Sequence, residues 1–320
     1  MATLRPMPDR APSAHETSSR QVQASEHRLH IGGMVAVVTG GAGGIGKGIV
    51  KALLRRGAAV VIADVEEAAL ERAVTELSPL GLVEGVPTDV SDERSVTALA
   101  DGVFDAHGRC NLLFCNAGVT SGGGGKPWQQ EPNDWRWCFG VNVFGVAICS
   151  WAFVPRMIRS GHPGQVVVTS SGDGGFAPVP TASVYASSKA AASCFTEALN
   201  ANLISEGTNL RASVFYPSGG LMDTGLFNAQ RNRPEHLQRV GAATGRRGLT
   251  FDELKEMVAE LRGAEPEVAD LDELGEFVLD GVEARRYVIA RNLEDTVELL
   301  HERAEAIGRA EMPPGHDLAN

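Results

Sequence analysis

A run of glycines directly after an apolar, β-branched segment is the feature that most restricts how this chain can fold. Val35-Ala-Val-Val-Thr39 has the composition of a buried strand, and Gly40, Gly44 and Gly46 follow it as an amphipathic stretch begins at Ile45. This order predicts a strand, a tight turn and a helix. Glycines there permit a sharp turn and leave backbone N–H groups and the helix dipole free to bind a pyrophosphate. The alternative is a flexible loop without a ligand, which a glycine motif alone does not exclude.

A second predicted strand carries an acid where a dinucleotide needs one. Ala58-Ala-Val-Val-Ile-Ala-Asp64 ends about twenty residues beyond the glycines, where a carboxylate accepts hydrogen bonds from a ribose. Asp64 would repel a 2′-phosphate, and no Arg or Lys lies in the glycine turn or directly after Asp64 to bind one. We therefore predict NAD rather than NADP as the cofactor. The alternative for Asp64 is an acid at a helix N-terminus, before Glu66 and Glu67.

Tyr185 and Lys189 are the pair best suited to proton transfer. They are four residues apart on a predicted helix and so share one face. A tyrosine with an ordinary pKa of about 10 is a poor base at neutral pH unless a nearby cation favours its phenolate. Lys189 is placed to supply that cation, which predicts acid–base catalysis. Such a pair arises by chance in about one chain of this composition in twenty. The surrounding motifs therefore decide whether the pair is catalytic.

Several further motifs fall in order, and together they resemble the short-chain dehydrogenase/reductase family from Met34 to about Ile289. The turn from Thr39 to Gly46 resembles the cofactor loop of that family. Asp89-Val90 resembles its adenine-contacting pair, and Asn116-Ala117-Gly118 resembles the structural motif that follows one of its strands. The cofactor-binding residues implied by the resemblance are Thr39, Gly40, Gly44, Ile45, Gly46, Asp64, Asp89, Val90, Asn116, Ala117, Gly118, Tyr185, Lys189, Pro217 and Gly219.

The resemblance also implies a catalytic set and a reaction. Tyr185 transfers the proton, and Ser171 hydrogen-bonds the substrate oxygen. Lys189 lowers the pKa of the tyrosine and binds the nicotinamide ribose, while Asn142 holds a water that links the lysine to solvent. The implied reaction is reversible hydride transfer between a small-molecule secondary alcohol or ketone and the nicotinamide.

Two segments near the expected substrate depart from the family pattern. The interval from Ser171 to Tyr185 is one residue longer than usual, so Ser170 stays an alternative to Ser171. After the sixth predicted strand, Tyr216-Pro-Ser-Gly-Gly-Leu-Met-Asp-Thr224 has Ser218 inside the usual Pro-Gly pair and a late threonine. The residues of this segment implied to contact the nicotinamide end are Gly219, Leu221 and Thr224.

Strand and helix patterns alternate along the chain and predict an α/β fold. Strands are predicted near 34–38, 59–64, 82–87, 111–115, 165–170, 210–216 and 286–289, with helical segments between them. Such alternation predicts a Rossmann-like, doubly wound parallel sheet that binds ligands at the carboxyl ends of its strands. We expect a single domain over 31–312, with a disordered polar tail over 1–30 before it and a frayed end over 313–320 after it.

The segment from 217 to about 262 is longer than this fold requires and predicts a lid over the substrate, with helices near 226–240 and 250–262. Ser121-Gly-Gly-Gly-Gly125 predicts a mobile loop. We expect Arg231, Arg233 and Arg239 to be solvated, although binding of an acidic group stays an alternative. The side chains predicted to form an apolar pocket for a bulky, hydrophobic alcohol are Phe176, Val179, Leu221, Met222, Leu226 and Phe227.

Composition argues against several kinds of partner. The chain has 29 Lys and Arg against 40 Asp and Glu, a net charge of −11, so no basic surplus exists to bind nucleic acid or an anionic membrane. We find no apolar run of membrane-spanning length and no signal peptide, which predicts a cytoplasmic protein. The five cysteines lack metal-site spacing, so we predict reduced cysteines in the core and no metal.

The sequence is compatible with more than one oligomeric state and more than one function. Members of the family associate as homodimers or homotetramers through the helices that carry Asn142 and Tyr185, and Ala190-Ala-Ala-Ser193 permits close packing there. A 3-oxoacyl thioester reductase, a non-catalytic NAD-binding regulator and a sugar-nucleotide epimerase are the competing functions. Net alcohol oxidation with accumulation of NADH separates an alcohol dehydrogenase from the regulator and the epimerase.

Overall fold

The computed structural model describes residues 28–121, 125–241 and 248–315, which form a doubly wound α/β domain. Seven strands pair in parallel in the order β3-β2-β1-β4-β5-β6-β7. The order reverses between β1 and β4, which puts the topological switch point at their carboxyl ends. Each predicted strand overlaps an observed one, and the fold class is confirmed. The strands are β1 Val35–Thr39, β2 Ala59–Asp64, β3 Val83–Pro87, β4 Leu112–Cys115, β5 Gly164–Thr169, β6 Leu210–Phe215 and β7 Val288–Ile289.

Helices cover both faces of the sheet, because parallel neighbours need long crossover connections. One core layer packs residues such as Leu53 and Val278 against the sheet, and the other packs Leu99, Phe153 and Ala192. Burial on both faces explains why the inner strands β1 and β4 are buried along their whole length instead of alternating, whereas the edge strand β3 is largely exposed. The helices of eight residues or more are α1 Gly44–Arg55, α2 Glu67–Leu77, α3 Glu93–His107, α4 Pro132–Phe139, α5 Gly145–Ser160, α6 Ser183–Ser205, α7 Phe251–Arg262, α8 Leu271–Glu283 and α9 Leu293–Gly308.

A π-helical turn, Gly140–Phe144, joins α4 to α5 in one continuous helical segment from Pro132 to Ser160. By length and composition this segment is apolar enough to cross a membrane, with a mean hydropathy of 1.7 over its best window. The expectation that no apolar run reaches that length is therefore wrong. Of that window 56% is buried inside the fold, so packing against the sheet accounts for much of its apolar composition.

The predicted tail over 1–30 is too long at its C-terminal end. Leu29 is buried, and its backbone N–H donates to Glu283 O at 2.8 Å. Arg28 forms an ion pair with Glu283 at 3.2 Å. Residues 28–30 therefore pack on the domain, because Leu29 finds an apolar site beside α8. Most of the predicted tail, glycine loop and frayed end lies outside the described residues. The residues not described are 1–27, 122–124, 242–247 and 316–320.

The first half of the predicted lid differs from its prediction. Two short 3₁₀ turns, Leu226–Asn232 and Glu235–Leu237, stand where a helix over 226–240 is expected. Pro234 separates the two turns, and a proline in a helix interior removes a backbone donor and clashes with the preceding turn. The second expected helix, over 250–262, is observed as α7.

The cysteines are free thiols with different exposures. Cys110, Cys115, Cys138 and Cys149 are buried, as expected of core residues. Burial raises the pKa of Cys110 to about 12 and that of Cys138 to about 11, so these thiols stay protonated at neutral pH. Cys194 is exposed, and the expectation of a core position is wrong for it.

Candidate active site

A groove of about 1060 Å³ lies at the carboxyl ends of the strands, between the sheet and the described residues 217–241 and 248–262, here called the lid after the predicted one. Its walls come from the loops after β1 to β6, where the topology of the sheet puts a ligand. The predicted site residues that line it are Gly40, Gly44, Ile45, Asp64, Asp89, Val90, Asn116, Ala117, Gly118, Ser171, Tyr185, Lys189 and Pro217. Thr39, Gly46 and Asn142 are buried residues that support this wall.

In the segment after β6, Gly220 lines the groove next to the predicted Gly219. Gly220 and Leu221 line the groove, whereas a Cβ on Gly219 would have Arg291 Nη1 as its nearest neighbour, 3.7 Å away. Ser218, which interrupts the usual Pro-Gly pair, accounts for this one-residue offset. Gly220 is therefore the glycine of this segment that faces the groove, and a cofactor contact at Gly219 stays a prediction.

The glycine turn after β1 is packed too tightly for side chains. A Cβ on Gly46 would lie 2.1 Å from Gly40 O and 2.7 Å from Asn116 Nδ2. Gly40 has a φ of +63°, and its Cβ would lie 2.8 Å from Ala117 Cα. Both positions therefore require glycine.

The start of α1 fits an anionic ligand. Its N-cap, Gly43, provides no capping side chain, and a Cβ on Gly43 would meet no atom within 4 Å. Open space and uncapped N–H groups at the positive end of a helix suit a pyrophosphate. The residues present therefore fit a dinucleotide at this turn.

Thr39 and Asn116 hold this turn against the end of β4. Thr39 Oγ1 accepts hydrogen bonds from the backbone N–H groups of Asn116 at 3.0 Å and Ala117 at 3.1 Å. The Asn116 amide donates to Gly40 O at 3.1 Å. These two side chains therefore fix the position of the glycine turn relative to the end of β4.

Asp64 is fixed at the end of β2 by two backbone donors. Its carboxylate accepts from Ala42 N–H and Glu66 N–H, each at 3.1 Å. Burial raises the pKa of this carboxyl, and the two hydrogen bonds oppose the increase. Arg72 and Arg231 also line the groove, and both cations lie outside the segments next to the glycine turn and Asp64 from which NAD was predicted.

Tyr185 lies in the first turn of α6 and lines the groove together with Ser171. Ser171 Oγ accepts from Asp173 N–H at 3.2 Å. The alternative, Ser170, is buried, and its hydroxyl donates to Lys189 O at 2.9 Å and pairs with Ser193 Oγ at 2.8 Å. Both serines line the groove, but the Ser170 hydroxyl is already bonded to Lys189 and Ser193, so Ser171 stays the predicted catalytic serine.

The electrostatic effect predicted for Lys189 differs from what the structure gives. Burial raises the pKa of Tyr185 above its usual value, and the nearby Ser171 side chain opposes this increase. Lys189 Nζ donates to Thr169 O at 2.9 Å and lies 5.7 Å from the centroid of the Tyr185 ring. Burial lowers the pKa of Lys189 to about 8, so its positive charge is lost as pH rises through that value. Desolvation of the phenol therefore outweighs the lysine in this state.

Asn142 lies on the π-helical turn between α4 and α5, a distortion that often marks functional positions. Its amide donates to Val119 O and Ser188 Oγ, both at 2.9 Å, and accepts from Val119 N–H at 2.8 Å. A Cβ on Gly118 would lie 3.3 Å from Lys189 Nζ and 3.4 Å from Asn142 Oδ1. The amide and the ammonium therefore converge on Gly118, and the water-holding role of Asn142 stays a prediction.

A buried cluster of charged side chains, which the sequence did not predict, joins the lid to α4. Asp134 in α4 has no exposed surface, and its side chain binds Arg233 at 2.8 Å and Arg239 at 2.6 Å. The Arg233 guanidinium also lies 5.1 Å from the centre of the Trp137 ring. Burial opposes ionisation of Asp134, but the hydrogen bonds from Arg239 and Arg233 outweigh it and lower the pKa. The expectation of solvated arginines is therefore wrong for Arg233 and Arg239, which bind an acid of the protein itself.

The apolar end of the groove comes mainly from the lid. Leu221, Met222, Leu226 and Phe227 line it as predicted. Two other predicted pocket residues pack elsewhere. The Phe176 ring lies against the Tyr216 ring with centroids 4.3 Å apart, and Val179 is buried.

A parallel, doubly wound sheet with a glycine turn at its switch point and a Tyr–Lys pair beside it defines a dinucleotide-binding oxidoreductase of the Rossmann type. The model of the short chain dehydrogenase family matches residues 34–235. The chain therefore belongs to the short-chain dehydrogenase/reductase family, whose members use a nicotinamide cofactor and act on alcohol or ketone groups.

Relatives with known names agree with this assignment. The chain is 35% identical to a C alpha-dehydrogenase from Sphingobium sp. strain SYK-6, over 78% of this chain and 77% of that protein. It is 36% identical to the 1-deoxy-11-beta-hydroxypentalenate dehydrogenase of Streptomyces exfoliatus, over 61% of this chain and 70% of that protein.

Solved structures with either cofactor are similar to this one. A short chain dehydrogenase/reductase from Burkholderia phymatum in complex with NAD has a TM-score of 0.79 at 32% identity, covering 90% of this chain and 99% of that one. A metagenomic short-chain oxidoreductase in complex with NADP has a TM-score of 0.54 at 31% identity, covering 60% of this chain and 85% of that one.

Proposed function

We propose that the protein catalyses reversible hydride transfer between NAD and a bulky, hydrophobic secondary alcohol or ketone. The observation that carries the proposal is that Tyr185, Ser171 and Lys189 line one groove with the glycine turn and the apolar lid residues. When bound, the nicotinamide supplies the acceptor or donor of the two electrons. The chain itself supplies the proton transfer and the geometry.

In the proposed mechanism Tyr185 is the general base in oxidation and the general acid in reduction. Its phenolate takes the proton of the substrate hydroxyl, and its phenol returns a proton to the carbonyl oxygen in the reverse direction. Ser171 donates a hydrogen bond to the same substrate oxygen. Because burial raises the pKa of Tyr185, the phenol predominates at neutral pH, so the rate of oxidation should increase as pH rises. Asn142 and Lys189, which meet at Gly118, form the proposed proton path behind the tyrosine.

The apolar end of the groove supports a hydrophobic substrate. Four apolar lid residues and Trp137 line it, and a relative named for a hydroxylated pentalenate shares more than a third of its aligned residues with this chain. Initial rates of NADH formation over steroid, terpenoid, aromatic and hydroxyacyl alcohols test this choice. Turnover restricted to hydroxyacyl thioesters would instead support a 3-oxoacyl thioester reductase.

Asp64 supports NAD over NADP, and its charge is the feature to change. The variant Asp64→Asn keeps the shape of the side chain but removes the charge that would repel a 2′-phosphate. We expect kcat/KM to fall about tenfold with NAD and to rise by at least about tenfold with NADP, since a hydrogen bond to a charged group contributes roughly 1.5–3 kcal/mol. Initial rates with both cofactors measure the ratio.

The control for this charge change is Glu67→Gln, which removes an exposed carboxylate three residues away. It should leave the ratio of NAD to NADP use unchanged. A wild-type protein that prefers NADP, or an Asp64→Asn variant with an unaltered ratio, would contradict the cofactor assignment.

An exposed apolar face on the helical segment from Pro132 to Ser160 supports a homo-oligomer, a dimer or tetramer. Phe144 and Trp151 are each 60% exposed and Ile158 is 38% exposed, and their seven-residue spacing puts them on one side of the helix. Ile204 near the end of α6 is also exposed, at 51%. Large apolar side chains exposed in a row are typical of a surface that another protein chain covers.

We expect Trp151→Glu to weaken self-association by at least about thirtyfold, because a buried interface tryptophan commonly contributes 2 kcal/mol or more. Sedimentation velocity over a concentration series measures the change. The control is Trp128→Glu, an equal change at a tryptophan that is 78% exposed in a short turn before α4. A monomeric wild type, or equal association of both variants, would contradict the proposed interface.

A further inference from the structure

Glu66 joins the loop after β2 to the lid, 165 residues further along the chain. Its Oε1 accepts hydrogen bonds from Arg231 Nη2 at 2.5 Å and from Asn232 Nδ2 at 2.9 Å. Its Oε2 accepts from Arg231 Nε at 3.3 Å. The backbone N–H of the same residue donates to Asp64 at 3.1 Å. Glu66, Arg231 and Asn232, here called the rim clasp, thus connect the lid to the loop that holds Asp64.

The lid itself orients the arginine of the rim clasp. Arg231 Nη1 donates to Gly225 O at 3.0 Å and to Asn228 O at 2.7 Å. The opposite edge of the guanidinium therefore faces Glu66, in the two-point geometry that suits a carboxylate. The hydrogen bond from Arg231 lowers the pKa of Glu66, which keeps the carboxylate charged at neutral pH.

The burial of the rim clasp suits a contact that opens and closes. The Arg231 side chain is 39% exposed and that of Glu66 is 31% exposed. Charges at such depth exchange their partner for water at a small cost in desolvation, unlike a fully buried pair. By contrast, the Asp134 cluster, at 0–11% exposure, anchors the other side of the lid.

The rim clasp lies along the part of the groove that the dinucleotide needs. All three of its residues line the groove together with Asp64, where the adenosine ribose is expected. At the glycine turn the lid lies directly over the backbone, since a Cβ on Gly44 would be 2.9 Å from Thr224 Cα. The lid therefore extends from the pyrophosphate turn to the loop after β2.

From this geometry we propose that Glu66 is a positioning residue that fastens the lid over the adenosine half of the cofactor and slows cofactor release. The proposal rests on the proposed function, because it requires NAD(H) in the groove. Cofactor exchange then requires the rim clasp to open, whereas the Asp134 cluster keeps the rest of the lid in place.

The test measures NADH dissociation by stopped-flow fluorescence in the wild type, Glu66→Gln, Arg231→Met and the double variant. Glu66→Gln keeps the backbone N–H that binds Asp64 and weakens only the side-chain contacts. We expect each single variant to release NADH about fivefold faster, the upper end for a partly exposed ion pair, because the two-point geometry strengthens this one. The double variant should release NADH no faster than the singles, because both substitutions break one interaction.

The matched control is Glu67→Gln, which removes the same charge one residue away on an exposed side chain and should release NADH at the wild-type rate. Tight NADH binding with a wild-type release rate in Glu66→Gln would overturn the rim clasp alone. Equal acceleration by Glu67→Gln, or additive effects in the double variant, would overturn it as well. Absence of NADH binding in the wild type would overturn the proposed function together with the clasp.

Discussion

Tyr185→Phe should lower kcat for alcohol oxidation by about two to four powers of ten, the usual contribution of a general acid–base group. The substitution removes only the phenol oxygen, which is the atom proposed to transfer the proton. The ring stays in place beside Lys189, so NADH binding should change little. Initial rates of NADH formation, with NADH affinity measured by fluorescence, separate the loss of chemistry from a loss of binding.

Tyr216→Phe is the matched control for this prediction. Tyr216 is buried behind the site, where its hydroxyl forms a hydrogen bond with Ser193 at 3.2 Å. Loss of that hydroxyl should leave kcat within about threefold of the wild type, since an ordinary hydrogen bond contributes about 1 kcal/mol.

The wild-type rate of oxidation should rise with pH, and Tyr185→Phe should lose this rise. Near wild-type turnover in Tyr185→Phe would refute the role of the phenol.

Asp134→Asn should lower the free energy of unfolding by about 3–5 kcal/mol, the usual cost of removing one partner from a buried ion pair. Asp134 has no exposed surface, and Arg233 beside it is 1% exposed, so the guanidinium would keep its charge without a carboxylate. Urea denaturation of the two proteins measures the difference. The substitution also releases the lid from α4, so KM for the alcohol should rise more than kcat falls.

Asp101→Asn provides the comparison at the surface. Asp101 pairs with Arg156 at 2.6 Å, but the two side chains are 55% and 27% exposed. Pairs of this kind contribute roughly 0–1 kcal/mol, so stability should change by less than about 1 kcal/mol. If Asp134→Asn is as stable as Asp101→Asn, the buried cluster does not anchor the lid.

Local patterns were sufficient to predict the sheet and the cofactor turn. The β-branched strands and the glycines after Thr39 are short-range signals, because a buried parallel strand and a tight turn restrict residues that are adjacent in sequence. Tyr185 and Lys189 were recognisable for the same reason, since helical spacing puts them on one face. The groove brings these segments together because they all end at the same edge of the sheet.

Interactions between distant segments were not predictable from the same patterns. Arg233 reaches Asp134 across 99 residues and Arg231 reaches Glu66 across 165, and nothing in the sequence near either arginine indicates an acidic partner. Solvation was therefore the default expectation for a charged side chain in a lid. The direction of the Tyr185 pKa shift was not predictable for a related reason. Helical spacing indicated a nearby lysine, but desolvation depends on every residue that packs around the phenol.

Transfer of deuterium from an alcohol to the nicotinamide tests the central claim most directly. Secondary alcohols deuterated at the carbinol carbon, drawn from steroid, terpenoid, aromatic and hydroxyacyl classes, would be incubated with the protein and NAD, and the NADH analysed by NMR. The proposed function predicts NADH that carries one deuterium at C4, formed at least about a hundredfold more slowly by Tyr185→Phe. Bound NAD with no label transferred from any alcohol would contradict the assignment of this protein as an NAD-dependent alcohol dehydrogenase.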